Sequence, residues 1–563
     1  MASRLNDLPP EILHIIFTYL WANEMFHSLY NINQHMNSVL YSYDNYYLDF
    51  RNTHKKTYDL LLTDLKHKIK CLVISNGYSV PRFTHIRNFL EQHNLSEFIR
   101  LEKLSLIDID EEYFLEILPN IYRFNKLKCL KLDRLPSYTG LRFKNIVSRL
   151  IRLDLPDAAF FDQLSEEHIQ NLKCLSVVRC TFEQLKHIFY IVPQRKFQAF
   201  ALTNGIFSAI GDNSWPKFAR LPYKLKRLNL QIDIQSITLN ELEELLSQLP
   251  RLAHLDIKTE GDIDLANGQR WEEFLHETYG NQLIEFDFCF TIWSYMNMNA
   301  NQIIKQFSSP YWLNRIRPWY VSYNGRGLIY TVPRYTSTCS RSDNMLTCRT
   351  TAKDKRLFFN TINQLTIHNP TIIPEYRFDN IDFLRISDDA FDSTNYNILS
   401  IVDLSRIKQL EISTTIPHDL LNRMPNLYHL SLININSLVL SLHKIGWCLK
   451  FEQIRVLDII YNPRNHRYTD VRPDVLCQMF PNVIRLSMHG MPIRRAYLNR
   501  VIDRFRKMIY GKFQINWNNE QKERAGKDLQ RETCRLISNN DETNFCLHFE
   551  HFYLHLFIWD TPQ

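Results

Sequence analysis

One short apolar motif recurs along most of this chain, and it restricts the fold more than any other feature. From residue 60 onwards the spacing apolar-x-x-apolar-x-apolar returns, as in residues 101–106, 127–132 and 225–230. A second run begins at Ile362 and ends at residues 483–488, and neighbouring copies lie mostly about 20 to 32 residues apart. The last two apolar positions alternate with a polar one, which is the period of a β-strand. A unit repeated at this interval is typical of a solenoid.

The motif resembles that of leucine-rich repeats. Each copy supplies a strand too short to bury its own inner face, so stacked copies are needed to form a parallel sheet and one continuous core. Helical sequence separates the strands, as in residues 240–250, where Pro250 ends the helix. We therefore predict an α/β solenoid over residues 51–490, with parallel strands on the concave face and helices on the convex face. An all-helical solenoid is the alternative, and the period-two ending of the motif disfavours it.

The turns of this solenoid should be irregular. In a regular leucine-rich repeat, an Asn or Cys three residues after the last apolar strand position bonds the turn. Only Cys180 and Asn462 clearly supply that residue here, and the spacing between copies is uneven. We therefore expect distorted turns and an irregular arc.

The interval 289–361 interrupts the motif and is rich in aromatic residues. Residues 318–323 and 328–332 flank Asn324, Gly325, Arg326 and Gly327, a sequence that predicts a β-hairpin. The Ser/Thr/Arg-rich stretch 336–351 is predicted to be a mobile loop. Two interpretations stay open: an insertion that contacts a substrate, or divergent repeats with aromatic packing, which we favour.

The first fifty residues predict two or three short helices. Asp7 can cap a helix that starts with two prolines, where the missing N–H groups cost little, and Glu11 suits the helix dipole. Apolar residues then follow at helical spacing over residues 12–20 and 25–40. Helices this short cannot bury so much apolar surface among themselves. Some of it should face the next domain or another protein.

The spacing Leu-x-x-Leu-Pro-x-Glu-Ile-Leu-x-x-Ile-Phe-x-Tyr-Leu over residues 5–20 resembles the first half of an F-box, the module that docks onto the Skp1 adaptor of SCF ubiquitin ligases. Residues 1–50 would then form the F-box. The second half departs from the family, since residues 32–36 lack its Cys, its basic pair and its Trp. An unrelated capping helix for the repeats is the alternative. The resemblance implies that the Skp1-facing residues are Leu8, Pro9, Ile12, Leu13, Ile16 and Leu20.

The middle position of each strand should point away from the core, onto the concave face. Both signs of charge occur there, which suits recognition of a protein better than recognition of nucleic acid. A solvated strand surface is the simpler alternative. The candidate substrate-binding residues at this position are Lys131, Asp154, Asn229, Asp256, Asp287, Arg385, Glu411 and Asp458.

The net charge of +7 comes from one segment. Residues 491–535 contain twelve Lys/Arg and five Asp/Glu, so the rest of the chain is neutral overall. We interpret residues 491–563, with predicted helices at 496–510 and 520–537 and an apolar end at 545–559, as the cap of the solenoid. A nucleic-acid-binding patch in this segment is the least favoured hypothesis.

No motif for catalysis or for metal binding is apparent. The eleven cysteines include no CxxC pair, and neither HExxH nor GxSxG nor a phosphate-binding loop occurs. His548, His551 and His555 lack accompanying ligands, so we predict no metal, no cofactor and no enzyme activity. Neither a signal peptide nor a membrane span is expected, which favours a cytoplasmic or nuclear protein.

These features together predict a substrate receptor of an SCF ubiquitin ligase. A Skp1-like adaptor and, through it, a cullin would be its partners, together with a protein substrate that the sequence does not identify. A leucine-rich-repeat scaffold that does not enter a ligase is the alternative function.

Overall fold

The computed structural model describes residues 5–49, 61–75, 89–90, 95–134, 140–205, 221–293, 299–313, 318–324, 327–335, 349–354, 362–367, 377–386, 402–413, 418–433, 450–461, 473–490, 493–515, 517, 520–522, 524–525, 529, 545–550 and 553–558. The chain divides into two compact units. The first comprises Met1–Asn297 and Ser309–Trp319, and the second comprises Met298–Ser308 and Tyr320–Gln563. The division falls within the aromatic interval 289–361.

The first unit is built on ten parallel strands that pair in the order of the sequence. These strands are β1 (Tyr46–Asp49), β2 (Ile69–Ser75), β3 (Lys103–Ile107), β4 (Cys129–Leu132), β5 (Arg152–Asp157), β6 (Cys174–Cys180), β7 (Ala199–Gly205), β8 (Arg227–Ile237), β9 (His254–Gly261) and β10 (Glu285–Ile292). This sequential parallel pairing is what a stacked array of repeats requires.

The apolar positions of the motif form continuous rows across this sheet. Leu72, Leu104, Leu130, Leu153 and Leu175 are register partners on successive strands, and each is at most 2% exposed. A single strand could not bury such a leucine, because the side chains on both sides of it belong to the neighbouring repeats. This unit is therefore a mixed α/β fold with a large parallel sheet, which is compatible with the predicted solenoid.

Short helices precede or connect the strands. Those before β1 are α1 (Pro10–Phe17), α2 (Ala22–Leu29) and α3 (Gln34–Ser42), and those that follow in the first unit are α4 (Glu111–Ile121), α5 (Gly140–Val147), α6 (Phe182–Ile191), α7 (Leu239–Ser247), α8 (Gly268–Tyr279) and α10 (Pro310–Leu313). Helix α9 (Ala300–Gln306) belongs to the second unit. Single 3₁₀ turns lie at Leu5–Asp7, Lys66–Lys68, Leu95–Glu97, Ala158–Gln163, Glu166–Ile169 and Ile263–Ala266.

Helix α7 matches the helix expected in residues 240–250. It starts at a capping box, in which Thr238 Oγ1 accepts from Glu241 N while Glu241 Oε2 accepts from Thr238 N at 2.7 Å. The same arrangement of Thr181 and Gln184 starts α6. Among the described helices none is long and apolar enough to cross a membrane.

Asparagines bond the turns at a position that differs from the expected one. Asn171, Asn426 and Asn482 each lie immediately before the first apolar residue of a motif, and their side-chain amides donate to a backbone carbonyl of the preceding repeat at 2.6–2.8 Å. Cys180, at the expected position, is buried and donates to Thr181 O. Asn462 lies outside the described residues.

Large aromatic side chains fill the core at the end of the first unit. Phe286 on β10 has ring centroids 5.3 Å from Trp271, 5.8 Å from Trp319 and 6.2 Å from Trp312. All four residues are at most 5% exposed. Within the interval 289–361, Trp312 and Trp319 are thus core residues, as the favoured interpretation of aromatic packing expected.

The second unit begins with the predicted hairpin. Strand β11 (Tyr320–Tyr323) pairs antiparallel with β12 (Leu328–Val332), and β13 (Arg349–Thr350) pairs antiparallel with β11. Asn324 closes the turn, since its backbone N–H donates to Leu328 O and its Oδ1 accepts from Leu328 N, both at 3.0 Å. Gly327 has φ +87°, a conformation that favours glycine. Residues 336–348 of the predicted mobile loop lie outside the described residues.

A nine-stranded sheet follows in the second unit. Its strands are β14 (Gln364–Ile367), β15 (Phe383–Ile386), β16 (Gln409–Ile412), β17 (His429–Ile433), β18 (Val456–Ile460), β19 (Arg485–His489), β20 (Tyr510–Gln514), β21 (Phe545–Glu550) and β22 (Tyr553–Ile558). The connecting helices are α11 (His418–Asn422), α12 (Pro473–Met479) and α13 (Arg495–Arg504), with a 3₁₀ turn at Leu404–Arg406. Strands β14 to β20 pair in parallel.

The C-terminal segment differs from the two helices expected there. Helix α13 ends at Arg504, and Tyr510 begins strand β20 instead of ending a helix. The apolar end forms β21 and β22, an antiparallel hairpin in which β22 pairs with β20. No helix or strand was predicted for this apolar end, although the alternation of apolar residues in 553–558 indicates a strand. Most of residues 520–537 lie outside the described residues.

We expect Phe286→Ala to lower the free energy of unfolding by about 3–5 kcal/mol, because it leaves a cavity among three tryptophans. Chemical denaturation followed by tryptophan fluorescence measures this. The control is Ile284→Ala, two residues earlier and 54% exposed, which should change stability by less than about 0.5 kcal/mol. Equal effects of both substitutions would contradict this account of the core.

Candidate protein-interaction surfaces

Helices α1 to α3 form a small module with its own core. The core consists of Leu13, Phe17, Ala22, Met25, Phe26, Leu29, Met36, Val39 and Leu40, all at most 9% exposed. Helix α1 starts at two prolines, as the sequence predicts, although Pro9 and not Asp7 occupies the cap position. Asn33 caps α3, because its Oδ1 accepts from Met36 N at 2.7 Å. Residues 33–36, which depart from the F-box pattern, are therefore the start of this helix.

Tyrosines tie α1 and α3 to the first strand. Tyr43 packs edge-on against Phe17 at 5.5 Å and against Tyr46 at 5.3 Å between ring centroids. The Tyr46 hydroxyl donates to Leu40 O. Burial raises the pKa of Tyr43 to about 12 and raises the pKa of Tyr46 further, so both phenols are neutral at physiological pH.

The module is continuous with the sheet of the first unit. Strand β1, which starts four residues after α3 ends, pairs with β2 from Tyr46 to Asp49. Asp44 adds two ion pairs, with Lys68 and Arg100, each at 3.2 Å. The hydrogen bond from Arg100, with that from Lys68, holds the pKa of Asp44 below its ordinary value. These contacts fix the module against the first repeats.

Several apolar side chains of the module remain at its surface. The exposed ones are Leu5 (42%), Ile12 (43%), Ile15 (57%), Tyr19 (84%) and Ile32 (53%), which we call the apolar patch. Of the residues that the F-box resemblance implies, Pro9 and Ile12 are exposed, while Leu8, Ile16 and Leu20 are half-buried. Leu13 is completely buried and supports α1 from inside. The resemblance did not identify Ile15, Tyr19 or Ile32.

The middle strand positions lie side by side, as the motif predicts. In the first unit the register aligns the partners Ser105, Lys131, Asp154, Ser176, Ala201, Asn229, Asp256 and Asp287. In the second unit it aligns Thr366, Arg385, Glu411, Ser431, Asp458, Ser487, Lys512 and His555. The eight predicted residues therefore belong to two rows, one in each unit.

In the first row, charge changes sign along the sheet. Lys131 is exposed, and Asp154 accepts from Arg152 Nε at 3.1 Å. Further along, Asn229 Nδ2 donates to Asp256 at 3.3 Å. Asp256 and Asp287 are half-buried and adjacent. This row therefore becomes acidic towards β10.

The second row contains a hydrogen-bonded network around Asp458. His429 Nε2 lies 2.7 Å and Ser431 Oγ lies 3.3 Å from Asp458 Oδ2. Burial would raise the pKa of Asp458, but hydrogen bonds from His429 and Ser487 and the charge of Arg485 outweigh it, so this pKa lies below its ordinary value. Arg385 and Glu411 form an ion pair at the start of the row.

Two cysteines of the repeats lie away from the core. Cys129 and Cys174 lie half-buried on the sheet face opposite the core, where Arg152 separates them, while Cys71 is buried in the same row. Alternate residues of a strand point to opposite faces, and these cysteines precede the buried leucines by one position. Burial raises the pKa of Cys71 to about 11, which favours its thiol form.

Within the described part of the chain, no three His, Cys, Asp or Glu side chains come together in a way that could hold a metal ion. His555 is 1% exposed on β22, and its Nδ1 lies 2.9 Å from the Tyr510 hydroxyl. His548 lies opposite His555 in the register of β21 and β22. His551 lies outside the described residues.

The fold defines a mixed α/β protein with large parallel sheets of leucine-rich-repeat-like units. No protein-family model matches the chain, and a search of curated proteins finds no match. One similar solved structure is the crystal structure of the Rad7 and Elc1 complex in yeast, at 11% identity and a TM-score of 0.27 over 74% of this chain and 84% of that one. Another is the leucine-rich-repeat ectodomain of the Arabidopsis receptor kinase HAESA with an extended IDA peptide hormone, at 11% identity and a TM-score of 0.21 over 82% of this chain and 70% of that one. At TM-scores this low, neither likeness supports a conclusion about this chain.

The lowered pKa of Asp458 predicts a pH-dependent contribution to stability. A carboxyl whose pKa is lower in the folded state stabilises the fold above its unfolded pKa, and this contribution disappears as pH falls through the folded pKa. We expect Asp458→Asn to cost about 1.5–3 kcal/mol at pH 7, the range for hydrogen bonds to a charged group. The cost should shrink below about pH 4, near the ordinary pKa of aspartate.

Melting temperatures of the wild type and of Asp458→Asn, measured from pH 3 to pH 7, test this expectation. Asp133→Asn is the control, since Asp133 is an exposed aspartate for which no ion pair is formed among the described residues. A destabilisation by Asp458→Asn that stays constant across this pH range would overturn the prediction.

Proposed function

We propose that this protein is the substrate-recognition adaptor of an SCF-type E3 ubiquitin ligase. Its N-terminal module would bind a Skp1-like adaptor and, through it, a cullin. The repeat sheets would bind a protein substrate. The protein itself would carry out no chemistry, because ubiquitin transfer takes place on other subunits. Its contribution is to raise the local concentration of the substrate near them.

The apolar patch carries this proposal. Its members Ile12 and Ile15 lie three positions apart and so share one face of α1, and uncovered apolar side chains grouped in this way are typical of a surface that contacts another protein. Both lie in the segment whose sequence resembles the first half of an F-box. Ile12 is the residue that the resemblance and the exposure assign to the same surface.

The attachment of the module supports the adaptor layout. Pairing of β1 with β2 and the ion pairs of Asp44 leave the module little freedom relative to the first repeats. A rigid connection keeps a bound substrate at a defined distance from the adaptor. Positioning of this kind converts an encounter between separate molecules into one within a single complex.

A scaffold that does not enter a ligase is the second candidate. The observation that favours it is the start of α3, where residues 33–36 lack the Cys, the basic pair and the Trp of the F-box family. Gln34 and His35 are exposed there, whereas Met36 is buried in the module. Skp1 binding distinguishes the two candidates.

We expect purified full-length protein to bind Skp1 and the double variant Ile12→Asp/Ile15→Asp to lose at least about 100-fold in affinity, because each buried apolar contact at an interface centre contributes about 2 kcal/mol or more. Isothermal titration calorimetry measures the affinity. Both side chains are exposed, so the fold should tolerate the change, which circular dichroism verifies.

The matched control is Ile263→Asp/Ile284→Asp. It makes the same two substitutions at residues that are each 54% exposed but lie far along the chain, beyond β9. This control should bind Skp1 like the wild type. A folded wild-type chain without affinity for Skp1 would refute the ligase proposal and favour the scaffold.

A further inference from the structure

Exposed cations accumulate where the chain enters the strands of the first unit. At this edge, each of the strands β4 to β9 has a Lys or Arg within three residues of its first residue. Before β6, Asn171 occupies one of these positions. The exposed members, which we call the basic belt, are Lys126, Lys128, Arg149, Arg152, Lys173, Lys196, Lys226, Arg227 and Arg251.

Backbone hydrogen bonds hold these positions in register. The N–H groups of Ile151 and Arg152 donate to Lys128 O, Lys173 N donates to Ile151 O, and the same pattern continues to Lys226. The side chains of the belt therefore project from one edge, one strand spacing of about 4.8 Å apart. The five steps from β4 to β9 span roughly 24 Å.

The belt has few carboxylates to neutralise it. Lys126, Lys173 and Lys226 make no ion pair or side-chain hydrogen bond with any residue that the structure describes. Glu102 pairs with Lys128 before β4, Asp154 pairs with Arg152 on β5, and Glu285 contacts His254 after β9.

Acidic residues cluster on two of the connecting helices. Helix α4 begins with Glu111 and Glu112, and α7 contains Glu241, Glu243 and Glu244 with no basic residue, whereas α5 contains two basic residues and no acidic one. Charge is thus separated between these two helices and the strand-entry edge, although the chain outside residues 491–535 is neutral overall. A clustered cationic edge of this kind attracts an anionic partner.

We infer that the basic belt binds an acidic segment of a protein, a run of Asp and Glu about seven residues long in extended conformation. An extended strand covers about 3.4 Å per residue, so about seven residues match the length of the belt. The inference names the class of substrate and in that sense rests on the proposed function. The surface itself is independent of the apolar patch.

The neighbouring row of charges favours a protein over a nucleic acid. Asp154 lies two residues beyond Arg152 on β5, and Asp256 and Asp287 continue the same row. Two residues along a strand correspond to about 7 Å. A polynucleotide is negatively charged along its whole length, so these carboxylates would repel it. A protein can place neutral or basic side chains opposite them while its acidic run follows the belt.

The test uses the full-length chain and fluorescence anisotropy. The probe is a fluorescein-labelled Gly/Ser peptide with seven consecutive glutamates, compared with the same peptide carrying seven glutamines and with a labelled oligothymidine of twenty nucleotides. We expect the glutamate peptide to bind, the glutamine peptide not to bind, and the oligonucleotide to bind at least about tenfold more weakly than the glutamate peptide.

The variant Lys126→Glu/Lys173→Glu/Lys226→Glu should weaken binding of the glutamate peptide at least about tenfold, since three exposed cations that attract the glutamates are replaced by carboxylates that repel them. The control Lys408→Glu/Arg423→Glu/Lys450→Glu changes the net charge equally at exposed cations of the second unit and should bind like the wild type. Equal loss in both variants, wild-type affinity in the belt variant, or tighter binding of the oligonucleotide would each overturn the inference.

Skp1 affinity separates this inference from the proposed function. The belt variant should keep wild-type affinity for Skp1, and Ile12→Asp/Ile15→Asp should keep affinity for the glutamate peptide. If the chain binds Skp1 but not the glutamate peptide, the belt inference alone fails. If it binds the peptide but not Skp1, the ligase proposal alone fails.

Discussion

One backbone contact, repeated at successive strands, organises both units. At the entries to β4–β10 and β15–β20 two successive N–H groups donate to a single carbonyl of the preceding repeat, as Ile151 and Arg152 do to Lys128 and as Ile484 and Arg485 do to Arg455. A carbonyl oxygen has two lone pairs and can accept both bonds. The contact sets the register of each strand against its neighbour before any side chain is considered. Because side chains alternate with a period of two, a slip of one residue would turn every leucine to the wrong face.

The fixed register has consequences on both faces of the sheets. On the inner face it aligns leucines into rows that no single repeat could bury, so the stability of each repeat depends on its neighbours. On the outer face it aligns polar residues that are far apart in sequence. His429 and Asp458 meet in this way, although twenty-nine residues separate them. At the strand entries the same register brings Lys and Arg residues of successive repeats together along one edge of the sheet.

The two proposed interaction surfaces are constructed differently. The apolar patch belongs to a small helical module whose size leaves apolar side chains uncovered. The basic belt belongs to the strand entries and depends on the absence of acidic residues from one short stretch in each repeat. An apolar patch suits a permanent partner, whereas a charged edge suits a partner that is recognised by charge and released. This division fits an adaptor that remains in a complex while its substrates change.

The sequence by itself determined the repeating strands, the α/β class, the hairpin around Asn324 and the apolar character of the first helix. These features depend on local periodicity and turn chemistry, which a sequence contains directly. The sequence also placed the middle-row residues side by side, because a regular motif fixes the face of each residue.

Only the tertiary structure decided which apolar residues of the module stay exposed, since the neighbours Ile12 and Leu13 both belong to the apolar stripe of α1, yet Ile12 is 43% exposed and Leu13 is completely buried. The same holds for Tyr510, which forms a strand because β19 and β22 lie beside it. The turn-bonding role of Asn171 and Asn482 likewise depends on a carbonyl in the preceding repeat. Each of these outcomes depends on neighbours distant in the chain, and local patterns do not encode them.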